Sequence, residues 1–255
     1  MVNQTQIGKE KEYPDRFSLP DNFTSWETAV QSYEPLSYPD FDTIQEKLAA
    51  KSIEVAGPKT LNDLAKFSTT KAIEFYGKAI ADIRHPLGRT GINGTGVFWK
   101  AGKSRTADIA ILRNEPSAGL QLAMVFNRRK WRLPGGFIEP QDQDDLRQTA
   151  IREGNEETSI DISALANETE TLIPEQVKPN SSRSVDLGYL TSQVETILLP
   201  DIEMSFDLAA RDDAEAASWF DHSDVVNHHE IGQISPDHYA YAMQAFSHGR
   251  SRIAS

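Results

Sequence analysis

The 255-residue sequence contains no cysteine and no long apolar run. The absence of cysteine excludes disulfide bonds, a thiol nucleophile and thiolate-bound zinc. No segment approaches the roughly 20 consecutive apolar residues that a membrane-spanning helix needs. The first thirty residues are polar and mixed in charge, unlike a signal peptide or a transit peptide. We therefore expect an intracellular protein without a membrane partner, cytoplasmic by default, with a mitochondrial location left open.

Positive charge is also scarce in this sequence. The chain has 26 Lys and Arg against 38 Asp and Glu, which gives a formal net charge of −12. Proteins that bind nucleic acid usually carry a basic face, so we expect no nucleic-acid partner. Nucleotides are not excluded, because a bound metal ion can bridge acidic side chains to phosphate.

Turn residues divide the chain into two parts. Residues 1–40 are rich in proline, aspartate and aromatic residues, and we interpret them as an extended arm. Hydrophobic periodicity predicts short helices over about 41–52, 60–67 and 70–83. Residues 84–96, RHPLGRTGINGTG, hold four glycines and one proline and therefore predict a loop. We place the domain boundary here, with an N-terminal arm and helical region over 1–88 and a second domain over 89–255.

Beyond this loop the apolar pattern takes the period of β-strands. Residues 107–113 and 120–127 are apolar runs around a turn-rich segment, which predicts a hairpin. Further strands are expected over 132–137, once or twice within 185–199, and over 204–209 and 216–220.

Two helices are predicted in the same region. One runs over about 143–158. The other begins at Pro236 with Ser235 as its N-cap, and Gly249 is expected to end it. Its buried stripe is predicted to contain Tyr239, Ala242, Met243 and Phe246. Strands and helices in this order favour an α/β sandwich with a mixed sheet.

Three glutamates in the first of these helices give the clearest indication of chemistry. Glu153, Glu156 and Glu157 stand at positions i, i+3 and i+4, so a helix places them on one face. Carboxylates crowded in this way are unfavourable unless a cation lies among them, and oxygen ligands suit Mg²⁺ or Mn²⁺. The alternative interpretation is an ordinary solvated acidic helix.

The stretch from Trp131 to Ile162 resembles the Nudix box, G-x5-E-x7-R-E-U-x-E-E-x-G-U, in which U is a bulky apolar residue. The matching residues are Gly136, Arg152, Glu153, Glu156, Glu157 and Ile160. The loop is two residues longer than the pattern, so Asp142 and Asp144 compete for the place of the earlier Glu. Gly154 replaces a bulky apolar residue, and Ser159 replaces the glycine at the helix end.

A second segment, Leu87 to Asp108, is similar to one in two groups of Nudix proteins. These are the human-type mitochondrial ADP-ribose pyrophosphatases and the homologous cytoplasmic domain of ADP-ribose-gated melastatin-type cation channels. The shared positions are Gly88, Arg89, Thr90, Gly91, Gly94, Gly96, Gly102, Ala107 and Asp108. The arm agrees through Leu19-Pro20-Asp21, Ser25-Trp26 and Tyr33-x-Pro35-x-x-Tyr38. Residues 211–214 followed by Trp219 are similar to that family's Gly-Asp-Asp-Ala and Trp.

The resemblance implies a fold, a reaction and a set of site residues. The fold is a Nudix-type α/β/α sandwich with a mixed sheet, preceded by an N-terminal arm and short helices. The reaction is the Mg²⁺-dependent hydrolysis of ADP-ribose, a small nucleotide, to AMP and ribose 5-phosphate, with Mn²⁺ as the alternative metal. Catalysis is implied for Arg152, Glu153, Glu156 and Glu157. Metal binding is implied for Gly136, Glu153, Glu156 and Glu157. Substrate binding is implied for Arg89, Gly91, Asp186 and Tyr189.

Several interpretations stay open from the sequence. The departures from the box also fit a sensor that binds ADP-ribose without cleaving it, and another nucleoside diphosphate derivative is an alternative substrate. Residues 128–130, Arg-Arg-Lys, form either a solvated turn or a contact for an anionic substrate. Asp212 and Asp213 form either an acidic turn or a pair that orients metal or water. Four histidines fit surface positions better than a zinc site: His222, His228, His229 and His238. Monomer and homodimer are both compatible with the sequence.

Overall fold

The computed structural model describes residues 15–19, 24–27, 35–36, 83–94, 96, 98, 102–178, 181, 183–200, 208–212 and 214–254. The helices predicted over 41–52, 60–67 and 70–83 lie outside these residues, apart from Ile83, which is in a turn. The strand predicted over 204–209 also lies mostly outside them, and Leu208 and Ala209 are not in a strand.

The described residues form seven strands and three α-helices. The strands are β1 (Gly102–Glu115), β2 (Gly119–Asn127), β3 (Lys130–Arg132), β4 (Gly135–Phe137), β5 (Glu170–Val177), β6 (Gly188–Leu198) and β7 (Ala216–Phe220). The helices are α1 (Leu146–Thr158), α2 (His222–Glu230) and α3 (Pro236–Ile253). Two 3₁₀ helices, Pro140–Asp142 and Ser163–Glu168, lie before and after α1.

The strands form one mixed sheet in the order β3-β2-β1-β6-β5, in which β4 also pairs with β1 and β7 with β2. Strands β1 and β2 form the predicted antiparallel hairpin, with Leu112 opposite Leu122. Strands β1 and β6 run in the same direction, because Thr196 Oγ1 donates to the Ala110 carbonyl and Leu199 N donates to the Leu112 carbonyl further along both strands. The predicted α/β class is confirmed.

Alternate residues of β1 face two separate apolar cores. Ile109 and Ile111 pack in a cluster with residues of α1, whereas Ala110 and Leu112 pack in a cluster with residues of α3. This alternation follows from the two-residue period of a strand. The sheet is therefore covered by helices on both faces, as in the predicted sandwich.

Helix α3 begins as predicted but does not end as predicted. Ser235 Oγ accepts a hydrogen bond from His238 N at 3.4 Å, and Pro236 occupies the first turn. Gly249 does not end the helix, which continues to Ile253. A Cβ at this position would lie 2.9 Å from Leu112 Cδ1, so glycine allows α3 to approach the sheet closely. The prediction was wrong because packing, and not helix termination, explains this glycine.

Three further differences concern short elements. The strand predicted over 132–137 is two strands, β3 and β4, separated by Leu133 and Pro134. Strand β5 was missed because it contains Pro174, which an edge strand tolerates. Helix α2 was also missed, although Asp221 accepts a hydrogen bond from Asp224 N as its N-cap.

The chain divides into two compact units. The first consists of Met1–Ser104 and Val177–Thr191, and the second consists of Arg105–Gln176 and Ser192–Ser255. The domain boundary between residues 88 and 89 stays a prediction. Within the described residues, no helix combines the length and the apolar character needed to cross a bilayer.

Candidate active site

Gly135 and Gly136, which were predicted to form a turn, are the first two residues of β4 and lie directly against α1. Gly136 pairs with Ala107 of β1, and a Cβ on Gly136 would overlap the carboxylate of Glu153. A Cβ on Gly135 would lie 2.5 Å from the Ala107 carbonyl oxygen. Both glycines are therefore required by close contacts: Gly135 by the neighbouring strand and Gly136 by an acidic side chain of the helix.

Helix α1 begins three residues later than predicted. Gln143 and Asp144 have left-handed backbones, with φ of 52° and 64°, and cannot belong to an α-helix. Asp145 then caps the helix, because its side chain accepts a hydrogen bond from Arg147 N at 2.8 Å. The two extra residues of the loop are thus Gln143 and Asp144, which form a bulge before the cap.

The bulge decides between the two aspartates that competed for the place of the box glutamate. Asp142 accepts two hydrogen bonds from Arg152, from Nε to Oδ1 at 2.9 Å and from Nη2 to Oδ2 at 3.0 Å. Burial acts to raise the pKa of Asp142, but hydrogen bonds from Arg152, Glu139 N and Thr149 Oγ1 hold that pKa below its ordinary value. Asp142, the sixth residue after Gly136, thus pairs with Arg152, whereas Asp144 pairs with Arg105.

Arg152 organises the acidic face of α1. Its Nη1 donates to Glu153 Oε1 and to Glu156 Oε2, both at 2.9 Å, and its Nη2 donates to the Phe137 carbonyl at 2.9 Å. The hydrogen bonds to Asp142 are the main cause of the raised pKa of Arg152. This arginine therefore holds both the carboxylates and the end of strand β4. Glu157, by contrast, accepts a hydrogen bond from Gly135 N at 2.9 Å.

Glu153 is an acidic side chain in a largely buried environment. Burial raises its pKa to about 7, with smaller increases from the carboxylates of Glu156 and Glu139 and an opposing decrease from Arg152. The neutral and ionised forms of Glu153 are therefore similarly populated near neutral pH, and a nearby cation would favour the ionised form.

The oxygen atoms of the three α1 glutamates and of the Gly136 carbonyl are chemically suited to a hard divalent cation. All donors are oxygen atoms, and the missing side chain of Gly136 leaves room for the Glu153 carboxylate beside the backbone. In the present arrangement, however, Arg152 lies between Glu153 and Glu156, while Glu157 is turned to Gly135. Across the part of the chain that the structure describes, no three acidic or histidine side chains stand close enough to hold a metal ion.

The two substitutions in the box that could disturb α1 are both compensated by local contacts. A Cβ on Gly154 would lie 3.0 Å from Ile109 Cγ2 and 3.2 Å from Ile162 Cδ1, so these isoleucines occupy the space of the missing side chain. Ser159 ends the helix with φ of 63°, and its Oγ donates to the Ala209 carbonyl at 2.8 Å. The helix is consequently unbroken from Leu146 to Thr158.

The glycine loop of the first unit is held by buried contacts. Asp186 Oδ1 accepts hydrogen bonds from Thr90 N at 2.8 Å and from Thr90 Oγ1 at 3.0 Å. The arm contributes Phe17, whose N–H donates to the Gly91 carbonyl at 2.8 Å. A Cβ on Gly91, which has φ of 85°, would lie 2.6 Å from the Phe17 carbonyl oxygen. The loop therefore depends on glycine for its contact with the arm.

Two aromatic side chains extend this packing. The guanidinium of Arg89 lies 4.9 Å from the ring centroid of Trp26 and donates to the Ser25 carbonyl. Tyr189 meets the ring of His85 edge-on at 5.5 Å. Burial, and secondarily the charge of Arg16, lowers the pKa of His85 to about 3. The four predicted substrate-binding residues Arg89, Gly91, Asp186 and Tyr189 are all buried, and their role in binding stays a prediction.

The remaining candidates lie at the surface or in aromatic contacts. Arg128 and Arg129 form an exposed turn with φ of 49° and 65°. His229 stacks on Tyr239 at 4.0 Å, and His238 Nδ1 accepts a hydrogen bond from Leu133 N at 3.2 Å. Asp212 also has a left-handed backbone, and Asp213 lies outside the described residues.

Sequence reasoning missed Arg105 and Glu139. Arg105 reaches both Asp144 and Glu175, and no local pattern marks a contact between residues so distant in sequence. Glu139 N donates to Asp142 Oδ2 at 2.8 Å. The order Glu139-Pro140 before Asp142 could have revealed this contact, because proline is typical of a first helical position.

The comparison with protein families agrees with the geometry. Residues 103–241, more than half of the chain, match the family model described as "NUDIX domain". The chain therefore belongs to the Nudix family.

Two relatives match most of the chain. A "Transient receptor potential cation channel subfamily M member-like 2" of Nematostella vectensis is 24% identical over an alignment of 238 residues that covers 80% of this chain and 15% of the channel. The chain thus spans only a small part of that protein. The "Putative nudix hydrolase 6" of Caenorhabditis elegans is 23% identical over an alignment of 242 residues that covers 88% of each chain.

Solved structures resemble this chain as well. The NUDIX domain of Shewanella oneidensis NrtR, complexed with ADP ribose, matches with a TM-score of 0.45 and 22% identity, covering 60% of this chain and 89% of that one. A bifunctional NMN adenylyltransferase/ADP ribose pyrophosphatase from Francisella tularensis, complexed with AMP and a Mn ion, matches with a TM-score of 0.46 and 25% identity, covering 58% and 42%.

Proposed function

We propose that this Nudix protein hydrolyses the pyrophosphate bond of ADP-ribose to AMP and ribose 5-phosphate in a Mg²⁺-dependent reaction. The observation that carries the proposal is the contact of bare Gly136 with the Glu153 carboxylate, on a helix face that Arg152 and Asp142 hold in place. A solvated acidic helix has no need for a glycine against its carboxylate. The geometry therefore favours a site over a surface charge cluster.

The residues of this face divide the chemical tasks. Glu153, Glu156, Glu157 and the Gly136 carbonyl would hold the metal ion. When bound, Mg²⁺ would neutralise pyrophosphate oxygens and lower the pKa of a bound water. The water oxygen forms a bond to one phosphorus, the bridging P–O bond breaks, and one of the glutamates accepts the proton of the water. Arg152 would not contact the substrate in this scheme, because its hydrogen bonds hold α1 to Asp142 and to the end of β4.

The choice of ADP-ribose rests on the segment from Leu87 to Asp108 and on the arm. Both are similar to ADP-ribose pyrophosphatases and to the channel domain, and the structure gives their shared residues specific contacts. Gly91 meets the arm at Phe17, and Thr90 is fixed by buried Asp186. These contacts support a loop of defined shape, as selective recognition of a nucleotide requires.

The test is AMP release from ADP-ribose with and without Mg²⁺, in the full chain and in glutamate variants. We expect Mg²⁺-dependent release in the wild type and a loss of roughly a thousandfold or more in Glu156→Gln and Glu157→Gln, because each removes a charged ligand of the metal. Glu168→Gln is the matched control, since Glu168 is exposed on the 3₁₀ helix after α1. It should retain full activity.

Two outcomes would overturn the proposal. Turnover that persists in Glu156→Gln and Glu157→Gln would place the chemistry elsewhere in the chain. Tight binding of ADP-ribose without product in the wild type would instead identify a sensor.

A further inference from the structure

The two-residue bulge before α1 is held by one arginine. Gln143 and Asp144 both adopt left-handed backbones, which cost free energy for residues other than glycine. Arg105 Nη1 donates to the Asp144 carbonyl at 3.1 Å and to Asp144 Oδ1 at 2.5 Å. The same guanidinium thus holds the backbone and the side chain of one inserted residue.

Arg105 is itself fixed from the opposite side. Its Nε donates to Glu175 Oε1 at 3.1 Å and its Nη2 donates to Glu175 Oε2 at 3.2 Å, a two-point contact with strand β5. Its backbone carbonyl accepts a hydrogen bond from Ile138 N at 3.1 Å, at the start of the loop. Arg105 therefore connects β5, the beginning of the loop and the bulge.

The bulge is adjacent to the group that positions Arg152. Asp142 lies two residues before Asp144, and its carbonyl accepts a hydrogen bond from Asp145 N at 2.9 Å across the bulge. Its carboxylate makes the two-point contact with Arg152, whose Nη1 holds Glu153 and Glu156. A shift of the bulge would move Asp142, and through Arg152 it would move the carboxylates.

We propose that Arg105 is a positioning residue for the acidic face of α1, and that it compensates for the two residues inserted between Asp142 and Asp145. The inference rests on the proposed function for its catalytic consequence, but not for its effect on the carboxylates. Asp144 is 87% exposed and Arg105 is 21% exposed, so the pair contributes little to stability. The role of the pair is instead to keep the loop in the conformation that positions Asp142.

The test combines Arg105→Gln with deletion of Gln143 and Asp144, which restores the seven-residue spacing of the Nudix box. In the full chain, Arg105→Gln should lower kcat for ADP-ribose roughly tenfold with KM nearly unchanged, because misplaced groups affect the reaction more than binding. It should also weaken Mn²⁺ binding several-fold, measured by electron paramagnetic resonance. Arg105→Lys should rescue part of both losses.

In the chain without Gln143 and Asp144, the same substitution should change neither kcat nor Mn²⁺ affinity by more than about twofold. Arg105 then has no Asp144 to hold, so the substitution and the deletion act through one contact and their effects are not additive. Arg252→Gln is the matched control, since Arg252 also pairs with a glutamate of β5, Glu170. It should change neither quantity.

Equal losses from Arg105→Gln in both backgrounds would overturn the inference, as would unchanged kcat and Mn²⁺ affinity in the full chain. If the wild type turns over no substrate, the proposed function fails. Mn²⁺ affinity then still decides the role of Arg105, measured with and without Arg105→Gln in the full chain and in the chain without Gln143 and Asp144.

Discussion

Glu153 is the residue whose state most directly reports on the site. Burial is the main reason that its pKa is raised to about 7, since the Arg152 guanidinium only partly offsets the cost of a buried charge. Below this pH the carboxyl group is mostly neutral, and above it the group is mostly ionised. If Glu153 is a metal ligand as proposed, the metal ion binds the ionised form, and metal and proton compete for this carboxylate.

This competition predicts how metal affinity depends on pH. The raised pKa means that binding weakens as the pH falls through about 7, and we expect the Mg²⁺ dissociation constant to be roughly tenfold larger at pH 6 than at pH 8. Isothermal titration calorimetry of the metal-free protein measures it directly. Glu168→Gln should show the same pH dependence as the wild type. Equal Mg²⁺ affinity at both pH values would contradict this competition, because it would mean that Glu153 does not bind the metal or that its pKa is not raised.

Ser159 shows how a helix end can depart from its family pattern without loss. A left-handed serine costs about 1 kcal/mol relative to glycine at this position. The hydrogen bond from Ser159 Oγ to the Ala209 carbonyl, at 2.8 Å, stabilises the fold by a similar free energy. The serine therefore adds one side-chain contact to Ala209, beside the backbone hydrogen bond from Ala209 N to the Thr158 carbonyl, and glycine would lack that contact.

Two substitutions at Ser159 separate these contributions. Ser159→Ala keeps the left-handed strain and loses the hydrogen bond, so it should lower the free energy of unfolding by about 1 kcal/mol. Ser159→Gly loses the bond but also the strain, and it should be within about 0.5 kcal/mol of the wild type. Urea unfolding followed by circular dichroism gives both values. If glycine proves as destabilising as alanine, strain at Ser159 is negligible and the compensation is refuted.

The elements that the sequence predicted best are those in which local pattern and packing agree. The β1–β2 hairpin and the start of α3 belong to this group, because alternating apolar residues and a Ser-Pro cap carry their own signal. The prediction that Gly249 ends α3 was wrong because this glycine makes room for Leu112 and Leu120 of the sheet. Only the folded chain brings these residues near it. The predicted start of α1 at residue 143 was wrong for a different reason. The sequence pattern is helical through Gln143 and Asp144, but both residues have left-handed backbones.

The same distinction applies to the candidate site. Spacing alone placed Glu153, Glu156 and Glu157 on one face, and α1 confirms that they share a helix. It could not show that Arg152 would hold two of them while Glu157 turns to Gly135. It also left Asp142 and Asp144 undecided, because the position of a bulge depends on contacts with Arg105 that lie outside the loop.

At the scale of the whole molecule, family membership rests on residues 103–241, while the proposed substrate rests largely on residues before them. The glycine loop and the arm belong to the first compact unit, and the acidic helix belongs to the second. Membership of the Nudix family supports a Nudix hydrolase without specifying its substrate. The proposal of ADP-ribose among possible substrates draws its support from Thr90 and Gly91 in that loop and from Asp186, which accepts hydrogen bonds from Thr90.

The most direct test of the account is phosphorus-31 NMR of the full chain incubated with Mg²⁺ and, in separate samples, ADP-ribose, a dinucleotide and a nucleotide sugar. The account predicts that the pyrophosphate signals of ADP-ribose are replaced by equal amounts of AMP and ribose 5-phosphate, faster than any product forms from the other two. Preferential cleavage of another compound would keep a Nudix hydrolase but change its substrate. Unaltered pyrophosphate signals in every sample would contradict hydrolysis itself.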